Sequence, residues 1–172
     1  MSEILKKAIR DIPDFPKAGI IFKDITPLLS DGQLFSRTID IMYKKFRNKE
    51  IDKIAAIESR GFIFGSALAY KLGAGFVPIR KKGKLPHTTI NADYALEYGT
   101  SSVEIHSDAI NKGERILLVD DLLATGGTMK ASAELVEKLE GEIVAICFLI
   151  NLTFLKGLDK LKKYNTYSLM EF

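Results

Sequence analysis

The run Arg115-Ile-Leu-Leu-Val119 passes directly into Asp120-Asp121 and then into Leu-Leu-Ala-Thr-Gly-Gly-Thr128. Residues 116–119 are apolar without alternation, so a strand there must be covered on both faces, as in the interior of a parallel sheet. Two more short apolar strands, Lys53-Ile-Ala-Ala-Ile57 and Gly75-Phe-Val-Pro-Ile79, flank a helical stretch from about Phe62 to Leu72. Strand, helix and strand in that order imply a right-handed crossover between parallel neighbours. Residues 127–140 place Met129, Ala133, Val136 and Leu139 broadly on one helical face, with Gly141 closing the helix. Ile143–Ile150 follows as a strand, and Tyr167–Phe172 as the last one. The chain therefore reads as α/β, a central and mainly parallel sheet flanked by helices.

The remaining segments are less regular. Ile4, Leu5, Ala8 and Ile9 have helical spacing, which predicts a short helix over residues 2–11, stopped by Pro13 and Pro16. Residues 17–31 read as loop, although Gly19-Ile-Ile-Phe-Lys-Asp24 is unusually apolar for one. A helix over about 33–48 follows, with Leu34, Ile41, Met42 and Phe46 facing inward. Residues 81–101 are a long polar excursion without core periodicity before Asn91, and excursions of that length are commonly functional lids. No repeat or linker interrupts the sequence, so 1–172 reads as one domain.

Composition removes several classes. A 47% hydrophobic and 27% charged chain is that of a globular protein, neither disordered nor fibrous. A net charge of +3 is too weak to suggest a nucleic-acid partner. Cys147 is the single cysteine, which excludes an internal disulfide and a cysteine-rich zinc site. The longest apolar run has eight residues, well below the roughly 18 that span a bilayer, and the N-terminus lacks a signal-peptide core. A cytoplasmic protein with no membrane partner is expected.

Ligands of an open parallel sheet bind beyond the carboxyl ends of its strands. Asp120 and Asp121 stand at such an end, and the turn after them opens a helix. Paired glycines bring backbone amides close to a ligand, and the helix start adds a favourable field for an anion. Thr125 and Thr128 can add hydroxyl donors. Two carboxylates followed by an anion cradle suit a ligand with vicinal hydroxyls beside a phosphate, namely a ribose 5-phosphate. No Gly-x-x-x-x-Gly-Lys-Ser/Thr occurs, which argues against a P-loop ATPase. Two more cationic segments end strands on the same sheet edge: Glu58-Ser-Arg-Gly61, and Arg80-Lys-Lys-Gly-Lys84 with four cations in five positions.

Val119–Thr128 resembles the 5-phosphoribosyl 1-diphosphate (PRPP) signature of type I phosphoribosyltransferases. Phe15–Asp24, Arg60–Gly65, Gly83–Pro86 and Tyr94–Gly99 resemble the adenine-acting members of that family, and the likeness covers roughly residues 10 to 170. It implies the family's fold, with a small N-terminal hood over about 1–32 and a flexible catalytic loop over about 81–101. It implies that adenine and PRPP give AMP and pyrophosphate. Asp120 and Asp121 would bind the ribose hydroxyls, and Ala124, Thr125, Gly126, Gly127 and Thr128 the 5′-phosphate. Arg60, Arg80, Lys81 and Lys84 would meet the pyrophosphate. Ile21, Phe22 and Lys23 would hold adenine, Phe22 by stacking and its neighbours through backbone groups. Glu97 would handle a proton of the purine, and Tyr98 would support closure of the lid. Mg²⁺ is the implied cofactor, held mainly through PRPP and water without a firm protein ligand, and a homodimer is the implied assembly. Lys23 departs from the arginine usual in the family. Two alternatives share the phosphate cradle: a 6-oxopurine phosphoribosyltransferase and a non-catalytic PRPP-sensing regulator.

Overall fold

The computed structural model describes residues 2–95 and 99–172, with the backbone alone at Ser2. The chain divides into two compact units, Met1–Lys45 and Phe46–Phe172.

The N-terminal unit contains α1 (Ser2–Lys7), β1 (Arg10–Pro13), β2 (Ile21–Asp24), α2 (Thr26–Ser30) and most of α3 (Gly32–Phe46). β1 and β2 pair antiparallel from Arg10↔Asp24 to Pro13↔Ile21. Two expectations need correction here. The first helix stops at Lys7 rather than near residue 11, and residues 17–31 are not all loop, because they contain β2 and α2. Elements of four or five residues are too short for hydrophobic periodicity to report. Pro13 is tolerated at the end of a strand, where its missing N–H removes little of the ladder. Asp24 ties the pair together: Arg10 donates Nε to its Oδ2 at 3.0 Å, and the Thr26 amide donates to its Oδ1 at 2.9 Å. Hydrogen bonds from the Thr26 hydroxyl and amide, helped by Arg10, hold its carboxyl down at about 2.

Asp31 starts α3 by accepting the Gln33 and Leu34 amides at 2.9 and 3.0 Å, a side-chain cap for the first turn. Met42 and Phe46 are buried as expected, Leu34 and Ile41 only partly. Thr38 and Ile39 are buried as well. The buried face is thus rotated toward Thr38, whose hydroxyl is satisfied by donating to the Leu34 carbonyl at 2.8 Å.

The larger unit is built on a seven-stranded sheet. In chain order its elements are β3 (Lys53–Ile57), α4 (Arg60–Leu72), β4 (Gly75–Lys81), β5 (Thr89–Ala95), β6 (Thr100–His106), β7 (Arg115–Leu123), α5 (Gly127–Lys138), β8 (Glu142–Asn151) and β9 (Thr166–Glu171). The strand order is β5-β6-β4-β3-β7-β8-β9. The β4-β3-β7-β8-β9 run is parallel, whereas β6 pairs antiparallel with both β4 and β5. Residues 116–119 are fully buried, as their unalternating sequence requires. Ile116 and Leu118 join the cluster that holds Met129, Ala133 and Val136 of α5. The excursion at 81–101 contains a strand, Thr89–Ala95, which pairs with Thr100–His106 as an edge hairpin. Its alternation is hard to see because only Ala92 of β5 is fully buried in the core, with Ile90 and Tyr94 packed partly buried against it. Among the described residues no helix is long and apolar enough to cross a membrane.

Candidate active site

β7 is the longer partner of β3. Its pairing with β3 ends at Ala56↔Val119, while its pairing with β8 continues to Leu123↔Asn151. The strand therefore runs on through both aspartates, rather than ending before them, and one flank of β7 is uncovered at Asp120. The first turn of α4 fills that flank. A side chain at position 61 would put its Cβ 2.8 Å from Asp120 Oδ1 and 3.2 Å from the Val119 carbonyl, so Gly61 permits the approach. Arg60 then brings its Nε to 2.9 Å from Asp121 Oδ2.

These carboxylates are under electrostatic load. Burial and the neighbouring charge of Asp121 push Asp120 well above the usual carboxylate range. Burial raises Asp121 too, although the Arg60 guanidinium pulls it back. The Asp121 amide donates to Asp120 Oδ1 at 2.9 Å, and Asp121 Oδ2, for all its closeness to Arg60, has no aligned hydrogen bond. Among the described residues no three His, Cys, Asp or Glu side chains converge as a metal cage.

Beyond Leu123 the chain folds into a cradle. A cavity of about 80 Å³ is lined by Asp120, Leu122 and residues 123–129. Gly126 has φ +76° and no side chain caps the helix that follows it. The first amides of α5 lack intrahelical acceptors by the geometry of any helix start, so they are available to an anion. The cradle has a back wall that is remote in sequence. A Cβ at Gly126 would strike the Gly157 carbonyl, and one at Gly157 would strike the Ala124 carbonyl. The two backbones abut, and neither position accepts a side chain.

Arg80, Lys81 and Lys84 stand at the end of β4, on the same sheet edge as Asp120, because β4, β3 and β7 are parallel neighbours. Arg80 donates Nε to Glu58 Oε2 at 2.6 Å and an NH to the Lys84 carbonyl at 3.0 Å. Glu58 Oε1 also accepts the Lys81 amide at 3.1 Å. Burial of Glu58 opposes its ionisation, but Arg80 and the Lys81 amide outweigh that and lower its pKa. Lys81, Lys82 and Lys84 have exposed side chains.

Ile21, Phe22 and Lys23 form β2 of the N-terminal unit. Phe22 meets Phe15 edge-on, with ring centres 5.2 Å apart. Lys23 reaches across the pair to Asp11, its Nζ 2.6 Å from the carboxylate. Glu97 and Tyr98 lie outside the described residues.

The model of the phosphoribosyl transferase domain matches residues 26–169. The adenine phosphoribosyltransferase of Trichlorobacter lovleyi is 57% identical over 170 residues, which is 99% of each chain. The structure of the adenine phosphoribosyltransferase from Thermoanaerobacter pseudethanolicus superposes with a TM-score of 0.97, at 55% identity and complete coverage of both chains. This chain belongs to the adenine phosphoribosyltransferase family. The Saccharomyces cerevisiae member, solved with an imino-altritol bisphosphate and adenine, has a TM-score of 0.92 at 42% identity, covering 98% of this chain and 97% of its own.

Beyond the candidate residues named from the sequence of this adenine phosphoribosyltransferase family member, three others shape the site. Glu58 holds Arg80. Glu104 accepts backbone amides from the Gly83–Leu85 turn. Gly157 backs the cradle. A charged residue between Val103 and Ile105, inside a short apolar strand, was a visible signal for Glu104. Glu58 borders the Arg60 turn. Gly157 offered no local signal, because its reason for being glycine lies at Ala124.

Proposed function

We propose that this chain carries out purine salvage, joining adenine to PRPP with release of pyrophosphate to give AMP. The observation that carries this reading is the adjacent pair of half-buried Asp120 and buried Asp121 directly ahead of an amide-lined cradle at the start of α5. In this reading Asp120 and Asp121 accept the 2′- and 3′-hydroxyl protons of the ribose as hydrogen bonds. Residues 124–128 surround the 5′-phosphate with backbone amides and the Thr125 and Thr128 hydroxyls. Arg60, Arg80, Lys81 and Lys84 attract the pyrophosphate.

Departure of pyrophosphate builds positive charge on the ribose ring. Holding the ribose at both its hydroxyls and its phosphate fixes the anomeric carbon in front of the incoming base. Phe22 offers a face for stacking on adenine. Ile21 and Lys23 are two residues apart on β2, so their backbone groups project to one edge of the strand. That edge suits recognition of the 6-amino group by a backbone acceptor, which a 6-oxo group would leave unpaired. The Lys23 ammonium is engaged with Asp11, consistent with a role for its backbone. Glu97 handles the proton on the imidazole ring of the purine, and Tyr98 supports closure.

Mg²⁺ fits this site by its donor set: Asp120 and Asp121 are adjacent carboxylates, and the buried Asp121 Oδ2 has no aligned hydrogen bond. Asp120 and Asp121 would face the ion, mainly through ribose oxygens and water. When bound it neutralises the leaving pyrophosphate. We place the reaction in the cytoplasm and the chain in a homodimer, which sedimentation of the purified protein checks.

Incubation with PRPP, Mg²⁺ and each purine base in turn, followed by nucleotide analysis, tests the reading. AMP from adenine is expected; IMP or GMP alone, or no nucleotide at all, overturns it. Glu97→Gln should lower turnover much more than adenine affinity, and unchanged turnover removes its assigned role.

A further inference from the structure

Two anion sites at one sheet edge are built in opposite ways. The cradle at 124–128 presents backbone amides outward, whereas the Gly83–Leu85 turn directs its amides inward. The amides of Gly83, Lys84 and Leu85 donate to a single oxygen, Glu104 Oε1, at 3.1, 3.1 and 3.0 Å. The other oxygen accepts the Thr89 hydroxyl at 3.3 Å. Glu104 is 4% exposed and stands on β6 directly opposite Arg80 of β4.

Three successive amides aimed at one point make a backbone nest, the kind of concavity that ordinarily takes a ligand anion. Here the chain's own carboxylate occupies it. Burial works against the charge on Glu104, but the three amides and Thr89 together hold its pKa below the ordinary value. The turn is therefore closed to external anions through its backbone and can meet them only through the exposed side chains of Lys81, Lys82 and Lys84. From the other side Glu58 fixes the Lys81 amide and the Arg80 guanidinium, and Arg80 holds the Lys84 carbonyl.

We infer that Glu104 is a positioning residue, whose buried carboxylate fixes the backbone of the Gly83–Leu85 turn and so aims the neighbouring lysines at the pyrophosphate group. The inference rests on the reading of Arg80–Lys84 as the pyrophosphate side. Glu104 touches no substrate; it acts through the turn. Removing it leaves three part-buried amides without their shared acceptor, which the turn relieves by rearranging. A turn that rearranges costs affinity for pyrophosphate and leaves Ile21–Lys23, the residues read as holding the base, unchanged.

Calorimetric titration with inorganic pyrophosphate and Mg²⁺, alongside titration with adenine, tests this on the full chain. Glu104→Ala should weaken pyrophosphate binding about tenfold or more, the scale of a lost charge-assisted anchor. Adenine affinity should change less than about twofold, since the side-chain bonds of Glu104 go to the Gly83–Leu85 turn and Thr89 and additivity holds where no partner is shared. Glu104→Gln keeps an acceptor oxygen without the charge and should fall between wild type and Glu104→Ala, at roughly threefold. Should Glu104→Ala fail to fold, Glu104→Gln alone decides. Equal losses for both ligands, or unchanged pyrophosphate affinity in the folded variants, overturn the inference. Lys81→Ala/Lys84→Ala separates the two claims. If that variant loses pyrophosphate affinity and the Glu104 variants do not, the functional reading stands and the inference falls. A wild-type chain that binds no pyrophosphate overturns both.

Discussion

Asp120 is half-buried and Asp121 buried, and Arg60 brings its Nε to 2.9 Å from Asp121 Oδ2. Charges that function needs are costly to the fold when their ligand is absent. Because the folded pKa of Asp120 is raised by burial and by Asp121, the folded state holds a proton more tightly than the unfolded one. Its contribution therefore turns unfavourable as pH rises from the ordinary carboxylate value through the raised one. Asp120→Asn should accordingly raise the melting temperature by roughly a few degrees near neutrality, with the gain vanishing in acid where the wild-type group is already neutral. A thermal-melt series against pH checks it, and a gain that persists unchanged in acid contradicts the assignment. Asp121→Asn should lower turnover severely, by about a hundredfold or more, with the fold intact by circular dichroism. Near-normal AMP formation by that variant would remove Asp121 from the mechanism.

At the scale of elements, the parallel strands were legible, the edge strand β9 included, and the short N-terminal elements and the β5–β6 hairpin were not. Residues 116–119 could only be an interior strand, and the glycine pair after them could only be a tight turn. β1, β2 and α2 escaped because each has four or five residues, too few for a period to emerge from neighbouring loop. The β5–β6 hairpin escaped for a different reason: Asn91, Asp93 and Ala95 of β5 are exposed between Ile90, Ala92 and Tyr94, so its sequence looks polar. The segment that lines the cavity was legible in advance, since it is contiguous at Val119–Thr128. The pairings of Glu58, Glu104 and Gly157 were not, since their partners lie 22, 20 and many more positions away. Gly157→Ala tests this directly. Its new methyl group meets the Ala124 carbonyl, and overpacking of that kind costs about 1–3 kcal/mol. Both a lower melting temperature and weaker PRPP binding are expected, and a variant with unchanged PRPP affinity would show that the back wall is dispensable.

Across the whole molecule, the candidate residues are divided between two compact units, with Ile21–Lys23 of β2 in Met1–Lys45 and residues 120–128 and Arg80–Lys84 in Phe46–Phe172. Within the larger unit the abutment of Gly126 on Gly157 makes the cradle a two-piece construction, and the second piece lies in a short turn near the end of the chain, Gly157–Leu161. That turn carries exposed Lys156 and Lys160 around its buried glycine. A ligand that immobilises residues 124–128 must also quiet the turn pressed against them, though it never touches those lysines. Trypsin should then cut after Lys156 more slowly in the presence of PRPP and Mg²⁺, and equal cleavage rates with and without ligand would deny the link. The C-terminal turn thus serves as a proteolytic reporter, telling from outside whether the phosphate seat is filled.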